Sequence, residues 1–245
     1  MGIRITSVNE AVKDVGLKIL VHGIAGSGKT VMCATAGVKT LIISAESGLL
    51  SIKDAPDYVQ TTQIKTMEDL LEVHEFLLNE DHGFQWIALD SISEMGEVVL
   101  AEEKAANKDA RAAYGELIVS MTDIIKKFRD LPLNVIMTAK QKRYVDEDTN
   151  RTHYGPDLPG KNLANSIPYL YDEVFALRVE KNDEGKIYRT IQTGPDIQYI
   201  AKDRSGKLDL FEKPNLKSIH TKVFAERKSA AKPSAQSAES TNEEK

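Results

Sequence analysis

Cysteine is nearly absent from this sequence, with Cys33 the single one among 245 residues. Because a disulfide needs two cysteines, the chain carries no internal disulfide framework. The five histidines are scattered and do not show the spacing of zinc ligands beside that cysteine. A chain so poor in cysteine is typical of a reducing compartment, and we expect the cytoplasm.

Long apolar runs are also missing. No run approaches the roughly 20 residues that a membrane-spanning helix needs, and the amino terminus lacks the apolar core of a secretory signal. We therefore expect no membrane partner. The formal net charge of −5 argues against a surface that is basic throughout. A contact with nucleic acid is then expected only from a local group of residues.

Apolar runs of strand length alternate with helical patterns along the first half of the chain. This order is typical of an α/β protein with a mainly parallel central sheet flanked by helices. The strands of that sheet are predicted at 17–22, 41–43, 84–90 and 135–138. Three further strands, the first two joined as a hairpin, are predicted to be antiparallel. They fall near 173–180, 186–193 and 197–202.

Two segments do not fit the alternation. Residues 141–168 carry little apolar periodicity and are predicted to form a long loop, which inside a compact domain is usually functional or mobile. Residues 226–245 hold no large apolar side chain, so we expect a disordered tail. The predicted organisation is one folded domain over 1–225 followed by that tail.

The domain over 1–225 contains a phosphate-binding loop, which predicts an ATPase. Gly23 to Thr30 match G-x-x-x-x-G-K-[ST] at every position, between a predicted strand and a predicted helix. In this motif backbone N–H groups converge on phosphate oxygens, Lys29 reaches the β- and γ-phosphates, and the Thr30 hydroxyl ligates magnesium. We predict binding of ATP and Mg²⁺. The residues expected to contact the nucleotide are Gly23, Ile24, Ala25, Gly26, Ser27, Gly28, Lys29, Thr30 and Val31.

Two carboxylates follow buried strands of the predicted sheet. Asp90 ends the strand at 84–90, where a magnesium-associated carboxylate belongs, although an aspartate there also caps a following helix. Glu46 closes the strand at 41–43. Since parallel strands share one carboxyl edge, Glu46 is predicted to hold a water in line with the γ-phosphate. A solvated strand end is the alternative interpretation of Glu46.

These motifs resemble the ATPase core of RecA. Ser44-Ala45-Glu46-Ser47-Gly48-Leu49 is similar to the RecA segment that carries its catalytic glutamate, and Leu89-Asp90-Ser91 is similar to its Walker B strand. Lys140 or Gln141 occupies the place of its polar γ-phosphate sensor, and Gln141 is taken here as the candidate. Lys202-Asp203-Arg204 resembles the paired basic residues that RecA and RadA project into a neighbouring subunit.

The resemblance extends from about residue 17 to 204 and lacks the amino-terminal helix and carboxy-terminal domain of RecA. That minimal core is similar to the phage-encoded RecA-like single-strand annealing proteins, the P-loop branch of the Sak group. The resemblance implies a slow, DNA-stimulated ATPase that binds single-stranded DNA and assembles into rings or filaments. It also implies a role in recombination, in the host cytoplasm for a phage protein, with a single-strand binding protein as a further candidate partner. The implied catalytic residues are Lys29, Glu46, Gln141, Lys202 and Arg204.

The mobile second DNA-binding loop of RecA corresponds to residues 142–166. Aromatic side chains among basic ones are typical of single-strand binding, because bases stack on rings while cations contact phosphates. Four acidic residues in the same segment offset the positive charge, and a plain solvent-exposed loop is the alternative. The candidate DNA-binding residues are Lys142, Arg143, Tyr144, Arg151, His153, Tyr154 and Lys161.

Two other functions compete with DNA annealing. One is a nucleotide switch or loader whose ATP state recruits a protein partner. The other is a small-molecule or nucleotide kinase, which needs an acceptor pocket and usually a basic lid. A glutamate after the second strand and a late basic pair favour attack by water and coupling between subunits instead.

Overall fold

A computed structural model of the chain describes residues 5–7, 10, 15–46, 48–145 and 150–225. The predicted tail, 226–245, lies outside the described residues, as do Asp146, Glu147 and Asp148. Within the described residues, no helix combines the length and apolar content that crossing a membrane requires.

The described residues form ten strands, six α-helices and two short 3₁₀ helices. The strands are β1 (Lys18–Gly23), β2 (Thr40–Ser44), β3 (Val59–Gln63), β4 (Trp86–Asp90), β5 (Asn134–Val145), β6 (Thr152–Asp157), β7 (Glu173–Lys181), β8 (Ile187–Gln192), β9 (Lys202–Asp203) and β10 (Phe211–Glu212). The helices are α1 (Lys29–Cys33), α2 (Met67–Asn79), α3 (Ile92–Ala106), α4 (Ala110–Arg129), α5 (Lys161–Ser166) and α6 (Leu216–Val223). The 3₁₀ helices are Gly48–Ile52 and Ile167–Leu170.

All strands belong to one sheet in the order β10-β8-β7-β1-β5-β4-β2-β3. The six strands from β7 to β3 run parallel to their neighbours. Strands β8 and β10 extend the sheet antiparallel on one side, and β6 and β9 pair antiparallel with β5 and β7. The predicted fold class, an α/β fold with a mainly parallel central sheet flanked by helices and with antiparallel carboxy-terminal strands, is confirmed.

Helices cover both faces of the sheet, which explains why its central strands are apolar on both sides. One core contains Leu20 and Met137 together with buried residues of α2, α3 and α4. The other contains Ile19 and Ile136 with Met32 of α1 and residues of α6. Burial on both faces holds the strands in register, so their carboxyl ends meet at one edge of the sheet.

The prediction of a long loop over 141–168 is wrong. Strand β5 continues to Val145 and pairs with β6 over six residues, from Lys140 opposite Asp157 to Val145 opposite Thr152. Residues 161–166 then form α5. The hairpin is half-exposed, and it is held by backbone pairing and by polar contacts such as that of the Tyr144 hydroxyl with the Pro156 carbonyl (2.6 Å). Such a strand does not need the apolar alternation on which strand prediction depends.

The carboxy-terminal strands agree with prediction in two of three cases. β7 and β8 form the predicted antiparallel hairpin, but most of the run at 197–202 is not a strand. The Asp196 carboxylate accepts hydrogen bonds from the backbone N–H groups of Gln198 (2.7 Å) and Tyr199 (2.6 Å). This turn competes with extended pairing, as aspartate side chains often do.

Candidate functional site

The phosphate-binding loop begins where β1 ends, at the carboxyl edge of the sheet. β1 is buried throughout, so the position of Gly23 is determined by the core. Gly26 (φ 73°) and Gly28 (φ 100°) adopt left-handed conformations that a side chain would strain. The loop therefore curves tightly and leads directly into α1. This shape presents backbone N–H groups and a helix amino terminus to one space, as anion binding requires.

Lys29 begins α1 and turns back over the loop. Its ammonium donates hydrogen bonds to the carbonyls of Gly23 (2.9 Å) and Ile24 (3.1 Å). Burial lowers the pKa of Lys29, whereas the carboxylates of Asp90 and Glu46 raise it. A cation held by neutral carbonyls is available to a phosphate, which offers a full opposite charge.

Asp90 lies at the end of β4 and is 5% exposed. Its two oxygens accept hydrogen bonds from the hydroxyls of Thr30 (2.6 Å) and Thr138 (2.5 Å). These two hydroxyls, from α1 and β5, aim the carboxylate at the loop. Adjacent carboxylate and hydroxyl oxygens are the ligands that Mg²⁺ prefers, so Thr30 and Asp90 fit a magnesium ion shared with phosphates.

Within the described part of the chain, no group of three or more His, Cys, Asp or Glu residues is arranged to hold a metal ion. Mg²⁺ usually keeps few protein ligands and takes the rest from water and substrate phosphates. The Thr30 and Asp90 pair matches that pattern.

Glu46 lies just beyond β2, with one carboxylate oxygen accepting a hydrogen bond from the Ser91 hydroxyl (2.6 Å). Its backbone carbonyl accepts a hydrogen bond from the Ser44 hydroxyl. The residue is half-buried and borders a cavity of about 470 Å³. Eight predicted site residues border this one cavity: Ala25, Gly26, Gly28, Lys29, Thr30, Val31, Glu46 and Asp90.

Arg189 of β8 also lines the cavity, and the motifs did not indicate it. Its Nε donates to the carbonyl of Ser27 (2.9 Å) and its Nη2 to that of Gly26 (3.4 Å). The C=O and N–H groups of one peptide unit point in opposite directions. Because the Arg189 guanidinium binds the carbonyls of Ser27 and Gly26, the N–H groups of the residues that follow them point away from Arg189. Arg189 thus holds the loop from outside and adds positive charge to the cavity.

The Gln141 side chain contacts His22 and not a residue of the nucleotide cavity. The nearest atom of its side-chain amide lies 3.2 Å from Nδ1 of His22, which is fully buried in β1. Nε2 of His22 lies 2.7 Å from the Ile200 carbonyl and therefore carries the proton. Burial lowers the pKa of His22 to about 4, so the ring is neutral and Nδ1 accepts. The Gln141 atom placed nearest to Nδ1 is Oε1, so a half-turn of the amide, with its NH₂ group toward Nδ1, gives the matching donor.

Lys202 and Arg204 lie away from their own chain's phosphate-binding loop. The Lys202 ammonium donates to the carbonyls of Pro168 (2.8 Å) and Tyr171 (2.5 Å), and Arg204 pairs with Asp172 (2.9 Å). The backbone of Asp172 is bonded to Lys18, five residues before Gly23. Along β1 this corresponds to roughly 16 Å.

The predicted DNA-binding residues are distributed over the β5–β6 hairpin. Lys142 and Tyr144 line a second cavity of about 460 Å³, here called the basic groove, which is bordered by α3, α4 and both hairpin strands. Tyr154 instead stacks on Tyr199, with ring centroids 5.0 Å apart. Arg143 contacts the Thr152 hydroxyl (3.1 Å). Arg151 is exposed just before β6, His153 is half-exposed, and Lys161 begins α5 with its side chain outside the description.

Two groove residues were missed by the sequence analysis. Lys104 of α3 lies over the ring of Tyr114 of α4, with its Nζ 5.4 Å from the ring centroid. Both line the groove opposite Lys142 and Tyr144, together with the acidic Glu97 and Asp157. The groove therefore combines lysines with tyrosines. No local motif predicts this groove, because the residues that line it come from elements that are distant in sequence.

Comparison with known proteins identifies a family for most of the chain. The family model AAA_24, described as an AAA domain, matches residues 15–205. No curated protein matches the sequence. A solved structure of a KaiC-like protein from the hyperthermophilic archaeon Pyrococcus horikoshii OT3 is similar, with 12% identity and a TM-score of 0.42. That similarity covers 72% of this chain and 77% of the other.

Proposed function

This chain belongs to the AAA domain family, and on that premise we propose that it is a RecA-like ATPase that hydrolyses ATP and binds single-stranded DNA to promote annealing in recombination. The observation that carries the DNA part is the position of the basic groove. Strand β5 supplies Thr138 to the nucleotide site and, four and six residues later, Lys142 and Tyr144 to the groove. One rigid strand thus joins the two sites.

The nucleotide chemistry rests on the side chains of the first cavity. The loop N–H groups and Lys29 bind the phosphates, and Thr30 with Asp90 would hold Mg²⁺. That ion, when bound, offsets the negative charge of the phosphates. Glu46 is oriented by Ser91 and accepts a proton from the attacking water. The hydrogen bonds among these residues fix the geometry before ATP arrives, which reduces the reorganisation that the reaction needs.

The groove has the chemistry of a single-strand site. Lys104 and Lys142 provide phosphate contacts, and Tyr114 and Tyr144 provide rings for stacking. The Tyr144 hydroxyl is fixed by the Pro156 carbonyl, which orients its ring. Lys142 is only loosely paired with Asp157 (3.4 Å) on the neighbouring strand, so a phosphate competes for it with little loss. Contacts of this kind are independent of base sequence, as annealing requires.

Assembly into a homo-oligomer is part of the proposal. Arg204 lies too far along the sheet to serve its own phosphate-binding loop, and the Lys202 ammonium is held by the carbonyls of Pro168 and Tyr171. A contact of these residues with ATP is therefore assigned to a neighbouring copy. A ring or filament would also align successive grooves along one strand of DNA.

The experiment that tests this function is ATP hydrolysis with and without single-stranded DNA, paired with fluorescence anisotropy of a labelled oligonucleotide. We expect binding at low salt and faster turnover with DNA. Binding without any change in turnover would separate DNA binding from the ATPase cycle. Hydrolysis with no DNA binding would refute the annealing role and favour a nucleotide switch or loader that acts on a protein partner.

A further inference from the structure

Lys140 lies beside the phosphate-binding loop, and the sequence left open whether Lys140 or Gln141 is the polar residue near the γ-phosphate. Its Cα is the direct partner of the Gly23 Cα in the parallel pairing of β1 and β5, about 4.8 Å away. Side chains two residues apart on a strand share a face, so Lys140 lies on the face of Thr138, which contacts Asp90. Gln141 lies on the opposite face and contacts His22. Of the two adjacent residues, Lys140 is therefore the one on the face that carries Thr138 and Asp90, and its side chain lines the basic groove.

Electrostatics places Lys140 at the same site. Burial and the carboxylates of Asp90 and Glu46 have the larger effects on the pKa of Lys29, and the positive charge of Lys140 lowers it further. The pKa of Lys140 is raised first by its bond to Glu94 and also by the charge of Glu46. The positive charges of Lys140 and Lys29 thus repel each other. A triphosphate between them would replace this repulsion with two attractions.

Glu94 is the ion-pair partner of Lys140. The carboxylate of Glu94 accepts a hydrogen bond from the Lys140 ammonium in an ion pair whose side chains are 34% and 49% exposed. At such exposure a pair of this kind is weak, because water and salt compete for both charges. A phosphate carrying more charge, in a pocket lined by N–H groups, is a stronger partner for the same lysine.

The Glu94 carboxylate also has a second hydrogen-bond donor nearby, the backbone N–H of Ser91. Ser91 is the N-cap of α3 and Glu94 is its third helical residue, the spacing of a capping box. The Ser91 hydroxyl already accepts a hydrogen bond from the Glu94 N–H (3.3 Å), which is one half of that box. The other half is a hydrogen bond from the Ser91 N–H to the Glu94 carboxylate, but this carboxylate pairs with Lys140 instead. By contrast, Thr66 and Asp69 of the described chain make both halves at the start of α2.

We propose that Glu94 is a two-position residue that delivers Lys140 to the γ-phosphate of ATP. Without nucleotide, Glu94 holds Lys140 at the border between the nucleotide cavity and the basic groove. When ATP binds, the ammonium moves to the γ-phosphate, and the Glu94 carboxylate turns back to the Ser91 N–H, where the helix amino terminus stabilises it. Lys140 contacts the substrate, and Glu94 is a positioning residue that acts through it. This inference rests on ATP binding in the proposed function.

The test is the ratio of ATP to ADP affinity, measured by displacement of a fluorescent nucleotide from the full chain. Lys140→Met keeps the aliphatic stem and should weaken ATP about tenfold while leaving ADP unchanged, because only ATP carries the γ-phosphate. Glu94→Gln keeps the capping-box chemistry and removes the competing charge. It should strengthen ATP about two- to fivefold without changing ADP.

The double variant distinguishes delivery from a general effect of charge. If Glu94 acts through Lys140, Glu94→Gln should have no effect on ATP affinity when Lys140 is already methionine. Asp123→Asn is the matched control, since it removes another exposed ion pair, with Lys127, outside both cavities. An unchanged ratio in Lys140→Met, or a Glu94→Gln effect that persists in the double variant, would overturn the inference. Absence of ATP binding by the wild-type chain would instead refute the proposed function as well.

Discussion

The polar side chains of the nucleotide site hold one another in place. Asp90 is almost fully buried and accepts two hydroxyl donors, and Glu46 accepts a third from Ser91. Burying a carboxylate is costly unless it is hydrogen-bonded, so these donors make the arrangement stable. They also leave each carboxylate in a single orientation, which is what a water and a metal ion need.

The role of Glu46 can be tested by one substitution. Glu46→Gln retains the hydrogen bond from Ser91 but cannot accept a proton, so we expect ATP binding to persist and hydrolysis to slow at least ~100-fold. Single-turnover hydrolysis and nucleotide affinity measure the two effects. Ser91→Ala is the control for orientation and should slow hydrolysis less. Turnover near the wild-type rate in Glu46→Gln would show that another group activates the water.

Arg189 leads to a second prediction at this scale. Arg189→Ala removes the donors to the Ser27 and Gly26 carbonyls, so the loop loses its outer support. We expect ATP affinity to fall about tenfold, or ~1.4 kcal/mol, the usual size of a lost hydrogen bond from a charged group. Arg189→Lys should recover part of the loss, and Lys186→Ala, an exposed neighbour on the same hairpin, should have no effect. Equal affinity in Arg189→Ala would make its contact incidental.

At the scale of elements, β5 connects the nucleotide cavity with the basic groove. Its first half is buried and pairs with β1 and β4, and its second half emerges from the sheet to pair only with β6. The buried half fixes Thr138 beside Asp90. The emerging half exposes Lys142 to solvent while the backbone remains hydrogen-bonded. One continuous, hydrogen-bonded strand therefore connects the nucleotide cavity and the basic groove.

The basic groove predicts a specific dependence on salt. Replacing Lys104 and Lys142 together by alanine should weaken binding of single-stranded DNA and reduce the slope of log K against log salt by about 1.4, because each lost phosphate contact contributes ~0.7. Anisotropy titrations over a range of salt concentrations measure this slope. Lys126→Ala with Lys186→Ala removes two exposed lysines outside the groove and should leave the slope unchanged. An unaltered slope in the groove variant would locate DNA binding elsewhere.

At the scale of the whole molecule, the parallel sheet places the phosphate-binding loop and Arg204 at opposite ends of its central strands. The nucleotide cavity lies at the carboxyl edge, and Arg204 lies level with Asp172 and Lys18 at the other end of the central strands. Its ion pair with Asp172 is exposed and therefore weak. An arginine in that position is free to exchange its partner for an anion on a neighbouring copy.

This separation predicts that Arg204 acts between subunits. Arg204→Ala should bind ATP normally as a monomer but lose ATP-dependent assembly and most hydrolysis, as happens when an arginine finger is supplied in trans. Light scattering with ATP and steady-state hydrolysis measure these effects. Mixing Arg204→Ala with Glu46→Gln should restore part of the activity, since some interfaces then pair an intact Glu46 with an intact Arg204. Normal assembly by Arg204→Ala, or no recovery in any mixture, would contradict this role.

The sequence by itself determined the α/β class, the central strands and the phosphate-binding loop. These features depend on local patterns, because apolar runs, helical periodicity and the glycines of the loop act within a few residues of one another. The order of strand, loop and helix also located Asp90 and Glu46 at strand ends. Chain topology then brings such ends to one edge of a parallel sheet.

Only the tertiary structure decided which distant residues meet. Arg189 contacts Ser27 across 162 positions, and Lys140 contacts Glu94 across 46. Such pairs depend on strand order and on the side of the sheet to which each helix returns, which no local pattern encodes. The β5–β6 hairpin that borders the basic groove was not predicted from the sequence, for a related reason. Its stability comes from pairing with a neighbouring strand, so its own apolar pattern carries little information.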